Sequence, residues 1–154
     1  MASAKFNTKS IEGKFKQYKK LAQKRVPPVL KSEIVSEIKK GRSPVKGQGR
    51  LVGYSDSYLK AIASGRYTNF GKQKRPVNMT LSGKMLKSIF TRFTKRGIEV
   101  GFDDPLADIH NSQGAGKSKV IRRLLPTEKG EKFKSSITLR IREVLTNVMK
   151  DVLK

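Results

Sequence analysis

Between Leu81 and Phe102 the spacing of apolar residues changes from the period of a helix to that of a strand. Leu81, Met85 and Ile89 recur at i, i+4 and i+8 with Leu86 beside them, which predicts a short helix with one apolar face. Thr80 or Ser82 suits its first turn, because either can accept a free backbone N–H. Ile98, Val100 and Phe102 then alternate with Glu99 and Gly101, the pattern of a half-buried strand. Phe90 to Thr94, rich in aromatic and β-branched residues, is its expected antiparallel partner. Lys95-Arg96-Gly97 is the turn, where Gly97 can take a positive φ. A helix laid over this hairpin would seed a small α+β core.

Two amphipathic stretches flank that centre. In residues 8–40, Ile11, Phe15, Tyr18 and Leu21/Ala22 form one stripe, and Leu30, Ile34 and Ile38 form another with Val35 alongside. Pro27-Pro28 is expected to break the helix between them, since neither residue has an N–H to donate. Gly41 is the stop. Near the other end, Phe133, Ile137, Ile141, Leu145, Val148 and Val152 step by three or four, widened by Val144 and Met149, and predict the strongest helix. Thr127 is its expected cap, Lys150 and Lys154 suit its C-terminal dipole, and it is expected to cover the sheet.

The remaining segments are shorter. Residues 41–53, GRSPVKGQGRLVG, form a basic glycine-rich loop. Ser55 or Asp56 caps a short helix bearing Tyr58, Leu59 and Ile62, ended by Gly65. Residues 66–76 are a second basic loop in which Tyr67 and Phe70 either stack on bases or, the favoured reading, pin the loop to the core. Asp103 or Asp104 is an N-cap for Pro105, with Leu106 and Ile109 on the inner face of that turn. Val120 to Leu125 reads as a strand running to Pro126. The expected division is a basic helical N-terminal arm at 1–40 and a single α+β domain at 41–154, with a small antiparallel sheet and flanking helices.

Charge changes the picture most. The formal net charge is +23 over 154 residues, with 19 basic against 4 acidic side chains in residues 1–75 and 16 against 8 in residues 76–154. So large a field implies a polyanionic neighbour: nucleic acid, acidic membrane or acidic protein. Only 36% of residues are hydrophobic while 31% are charged, so part of the chain is expected to pack only in an assembly. From Gly97 to Gly116 the sign inverts, with Glu99, Asp103, Asp104 and Asp108 and no Lys or Arg. A neighbouring copy is the nearest positive partner, and contact between unlike surfaces of identical subunits builds rings or tubes. The expected interface sets Glu99, Asp103, Asp104 and Asp108 against Arg42, Lys46 and Arg50 or the basic arm. Lys14, Lys16, Lys19, Lys20, Lys24, Arg25, Lys72, Lys74 and Arg75 are the candidates for facing DNA or an acidic partner.

Enzyme chemistry finds little support. There is one histidine and no cysteine, and no carboxylate pair stands with a base beside a plausible nucleophile. Asp103, Asp104, Asp108 and His110 do not share one helical face, so capping is preferred to metal binding. Gly47-x-Gly49 lacks the dinucleotide fingerprint, and NSQGAGKS (Asn111–Ser118) has Asn where a phosphate loop needs its first Gly. No cofactor is expected. No apolar run approaches the ~20 residues that span a bilayer. The N-terminus lacks the apolar middle of a signal peptide, so synthesis and assembly in a cytoplasm are expected, with no membrane partner.

The order GRSPVKGQGR, YSDSYLKAI, RPVNMTLSGKMLKSI, IEVGF, His110…Gly114 and RRLLP resembles the neck and tail-completion proteins of tailed bacteriophages, the virion morphogenesis or head–tail joining group. The resemblance covers about residues 41–127. Its most specific parts are Pro76–Ser88, Val100-Gly101 and Arg122–Pro126, and it departs from the family in the wider spacing of His110 and Gly114. It implies a structural virion subunit rather than an enzyme. Such a subunit forms a ring at the neck around the DNA channel, between portal or head-closure proteins and the tail. The alternative reading of the same charge is a non-specific nucleic-acid-binding protein using Lys14–Arg25 and Lys72–Arg75.

Overall fold

A computed structural model describes residues 8–70, 72, 74–79, 83–95 and 97–154, with backbone only at 8, 9 and 70. The expected cap at Thr80 or Ser82, the helical position Leu81, the side chain of Phe70 and the turn residue Arg96 lie outside what it describes. The fold is α+β: a two-stranded antiparallel sheet among helices, with a long helix towards each end.

The hairpin forms as its alternation predicts. β1 (Ile89–Thr94) pairs with β2 (Gly97–Phe102) from Ile89 opposite Phe102 to Thr94 opposite Gly97. Gly97 has φ +139°. Phe90 faces Gly101, and a methyl group at 101 would overlap the phenyl ring, so the glycine makes room for the aromatic. The preceding helix is shorter than its pattern: α3 spans Lys84–Lys87, and Ile89, expected on its last turn, instead opens β1 as a core residue.

The Pro27-Pro28 break does not occur. α1 runs unbroken from Thr8 to Lys39, 32 residues. Two interior prolines cost about 3 kcal/mol each. Val26, Leu30, Ile34 and Ile38 are all buried, and each contributes roughly 1.5–3 kcal/mol, which is enough to carry the helix through. Gln23 and Lys24, whose carbonyls lose their i+4 partners, are exposed to water. The Pro27 carbonyl accepts a hydrogen bond from Thr91 Oγ1 at 2.8 Å and so ties the helix to β1.

α5 (Ser135–Leu153) lies antiparallel to α1: Lys134 Nζ reaches Glu37 at 3.1 Å and Asp151 meets Arg25 at 2.6 Å. It begins at Ser135, well after Thr127, whose N–H is instead satisfied by the Glu131 carboxylate at 2.8 Å. Phe133 precedes the helix and bridges to Val45. Ile137, Val148 and Val152 are buried, Met149 is exposed, and α5 packs along α1 rather than over the sheet. The single core joins Leu30, Ile34 and Ile38 to Leu51, Val77, Met79, Leu86, Ile89, Leu124, Leu125 and Ile137. The second half of α1 is thus core, while Ser10 to Gln17 are exposed.

Val120 to Leu125 is extended but not a strand; only Val120 bridges, to Ala115. Side chains hold it in place of a ladder. Buried Asn111 accepts from the backbone N–H of Leu124 and of Leu125 at 2.7 and 2.8 Å. Ser43 Oγ donates to the Arg123 carbonyl at 2.6 Å, and Arg122 donates to the carbonyls of Val52 and Gly53 at 2.9 and 2.6 Å.

Candidate assembly and polyanion-binding surfaces

The basic loops predicted separately converge on one groove. Gly41 ends α1 with φ +72°, and any side chain there would run into Pro76, so glycine alone lets the 41–50 loop close on the 75–77 segment. Arg42 and Arg50 face each other in an antiparallel bridge, and Leu51 N–H donates to the Gly41 carbonyl at 2.8 Å. An open groove of about 750 Å³ results, lined by Lys40, Arg42, Arg50 and Arg75 with Leu51 and Val77 at its base. Among the described residues no carboxylate lies within ion-pair distance of Lys40, Arg50 or Arg75. Lys40 joins the groove without being among the cations expected there; its place just before the helix-stopping Gly41 is the signal that could have found it. Lys74 and Arg75 are exposed and also border a shallower groove beside Asp56 and Lys60. Lys46 is exposed on the same loop, where its backbone N–H donates to Lys132.

Two of the expected cations are committed inside the chain. Arg42 is bound to Glu37 at 2.7 Å, and Arg25 to Asp151. Burial raises the Glu37 pKa, but hydrogen bonds from Lys134 and Arg42 outweigh it and hold the carboxyl below its ordinary value. Lys14, Lys16, Lys19, Lys20 and Lys24 are exposed along α1.

Lys72 is not a surface lysine. Its ammonium is half-buried, 4.5 Å from the ring centre of Tyr54 and 5.6 Å from that of Tyr58. Tyr54 and Tyr58 meet edge to face at 5.1 Å, and Tyr67 meets Tyr58 at a tilt with ring centres 5.3 Å apart, so Tyr67 is held by a neighbouring ring. The buried guanidinium of Arg122 lies 5.6 Å from the Tyr54 ring and 3.4 Å from His110 Nδ1. A guanidinium can only donate, so Nδ1 is the acceptor and the imidazole proton sits on Nε2. Burial, then Arg122, lowers the Lys72 pKa to about 8. Burial, then Arg122 and Lys72, lowers that of His110 below its ordinary 6.5. A cavity of about 220 Å³ opens beside this cluster, bounded by Met79, Met85, Leu106 and Asp104.

The acidic segment is built on β2 and the turn after it. Glu99 is held by Arg92 through two 2.9 Å hydrogen bonds and is not free for a neighbour. Asp104 is the N-cap of α4 (Pro105–Asp108), accepting from Leu106 N–H at 2.9 Å, with Pro105 at the first helical position. Asp108 accepts from Ser112 and Gln113 across a wider π-turn, Ile109–Gln113. Ala107, not Leu106, points inward, and Leu106 is 60% exposed. Among the described residues, Asp103, Asp104 and Asp108 have no ion pair, and no group of three or more metal-ligating side chains forms. No described helix is long and apolar enough to cross a membrane.

No family model matches the chain, and neither a curated protein nor a solved structure matches it.

Proposed function

We propose that the chain is a structural subunit of the neck of a tailed bacteriophage. Copies close into a ring around the DNA channel, between the portal or head-closure proteins and the tail, and the chain performs no catalysis of its own. One observation carries this reading: charge is divided between separate faces. Lysines 14–20 and the Lys40–Arg50–Arg75 groove are cationic, while Asp103, Asp104 and Asp108 form a face without internal ion pairs among the described residues. Unlike patches on one chain favour head-to-tail contact between copies. The surplus cations favour DNA through phosphate neutralisation and counterion release, without reading bases. The ordered motifs at residues 41–127 support the same conclusion.

Multi-angle light scattering and electron microscopy of the purified chain test it, together with mass spectrometry of purified phage particles. Closed rings and presence in the particle are expected. A monomer that binds duplex DNA tightly and is missing from particles would establish the alternative, a non-specific nucleic-acid-binding protein. The basic groove favours that alternative just as much, which is why the oligomeric state decides.

A further inference from the structure

Two large apolar side chains near the start of α1 lie open to solvent. Ile11 is 60% and Phe15 68% exposed, on one stripe with half-buried Tyr18 and buried Ala22. Four lysines and one glutamate between Ser10 and Leu21 surround the stripe. Its complement exists on the same chain: Leu106, also 60% exposed, projects from α4 among Asp103, Asp104 and Asp108. The stripe has a basic surround; the Leu106 face carries Asp103, Asp104 and Asp108, with Lys72, Lys84 and His110 on the pocket side of Leu106.

The helix cannot reach its own acidic face. Lys31 donates to the Lys87 carbonyl at 2.9 Å, and Asp103 N–H donates to the neighbouring Ser88 carbonyl at 3.1 Å, so that face lies beside the middle of α1. Phe15 is sixteen residues nearer the N-terminus, about 24 Å along a continuous helix. Pairing two such arms with each other would set lysines against lysines. We infer that the projecting stripe of α1, centred on Ile11 and Phe15, docks on the Leu106 face of a second copy, its lysines meeting Asp103 and Asp108. The two patches differ, so each subunit both gives an arm and receives one, and the contact repeats around a ring. This inference rests on the proposed self-assembly and names the surfaces that carry it.

The chain has no cysteine, so single cysteines report the contact cleanly. Phe15→Cys and Leu106→Cys are both at exposed positions and leave the core intact. Mixing the two full-length variants under mild oxidation is expected to give a disulfide between Phe15→Cys of one chain and Leu106→Cys of another. Phe15→Asp is expected to weaken assembly about 30-fold, as loss of a central interface anchor does. Rings that persist in Phe15→Asp and give no mixed disulfide would overturn the arm contact while leaving self-assembly intact. So would disulfides confined to Phe15→Cys pairs, or formed instead with Leu145→Cys in the apolar groove between α5 and β2. A wild-type chain that stays monomeric at every concentration would overturn both the contact and the ring.

Discussion

Asn111 shows how one side chain can replace a strand pairing. Its amide oxygen accepts two buried backbone N–H groups and its Nδ2 donates to Thr127 Oγ1 at 3.1 Å. Asn111→Ala strands both amides away from water, at about 1–3 kcal/mol for each unsatisfied group. A loss of roughly 2–4 kcal/mol in urea denaturation is therefore expected, with Asn111→Asp, which keeps the acceptor, losing less. The one histidine offers a second residue-scale test. Its nuclear magnetic resonance titration is expected below 6.5 and should move upward in Lys72→Met, which removes a nearby positive charge. Because the folded value is the lower one, the unfolded chain takes up the proton first. Stability from this site is whole above pH 6.5 and lost as pH falls towards the folded value. Neither role was legible in the chain. His110 and Asn111 act through Arg122, Leu124 and Leu125, residues more than ten positions away, and no local period encodes such a clamp.

At the scale of elements, the sequence was legible where side chains repeat and opaque where tertiary burial overrode local preference. The β1–β2 hairpin follows from alternation and a glycine turn, α2 (Asp56–Ala63) contains its predicted stretch, and α4 and α5 form where expected but without Ile109 and Phe133 respectively. α1 defied its prolines because buried residues on both sides outweigh two missing hydrogen bonds. The Arg122–Leu125 segment has strand composition but no neighbouring strand, so side chains satisfy it instead. The same reasoning makes Pro28 a cost that α1 tolerates. Pro28 is exposed, so Pro28→Ala restores one backbone hydrogen bond at little cost in burial. It is expected to raise stability, by up to about 3 kcal/mol in thermal or urea unfolding. A drop in stability would mean that the proline's rigidity in the unfolded chain matters more than its missing N–H.

For the whole molecule, the useful quantity is which of the 35 basic side chains are available to a polyanion. Arg25, Arg42, Arg92 and Arg123 are already paired with carboxylates, and Arg122 is buried on carbonyls. Lys72 sits over tyrosine rings. Lys74 and Arg75 are exposed: Arg75 lines the groove where two basic loops meet, and Lys74 lies beside it on the shallower groove with Asp56 and Lys60. Duplex DNA binding is expected to be independent of sequence and to fall roughly 10³-fold or more between 50 and 200 mM salt. Replacing Lys74 and Arg75 together by alanine should reduce the slope of log affinity against log salt by about 2, one for each phosphate left unneutralised. Lys72→Ala should leave the slope nearly unchanged, because its charge is half-buried and already falls away above about pH 8. Fluorescence anisotropy across a salt series separates the two variants. Equal slopes for both would mean that groove position does not govern phosphate contact and that net charge alone attracts the DNA. A slope reduced only in Lys74→Ala/Arg75→Ala would locate the polyanion at residues 74 and 75, the face that the proposed ring would have to turn towards its DNA.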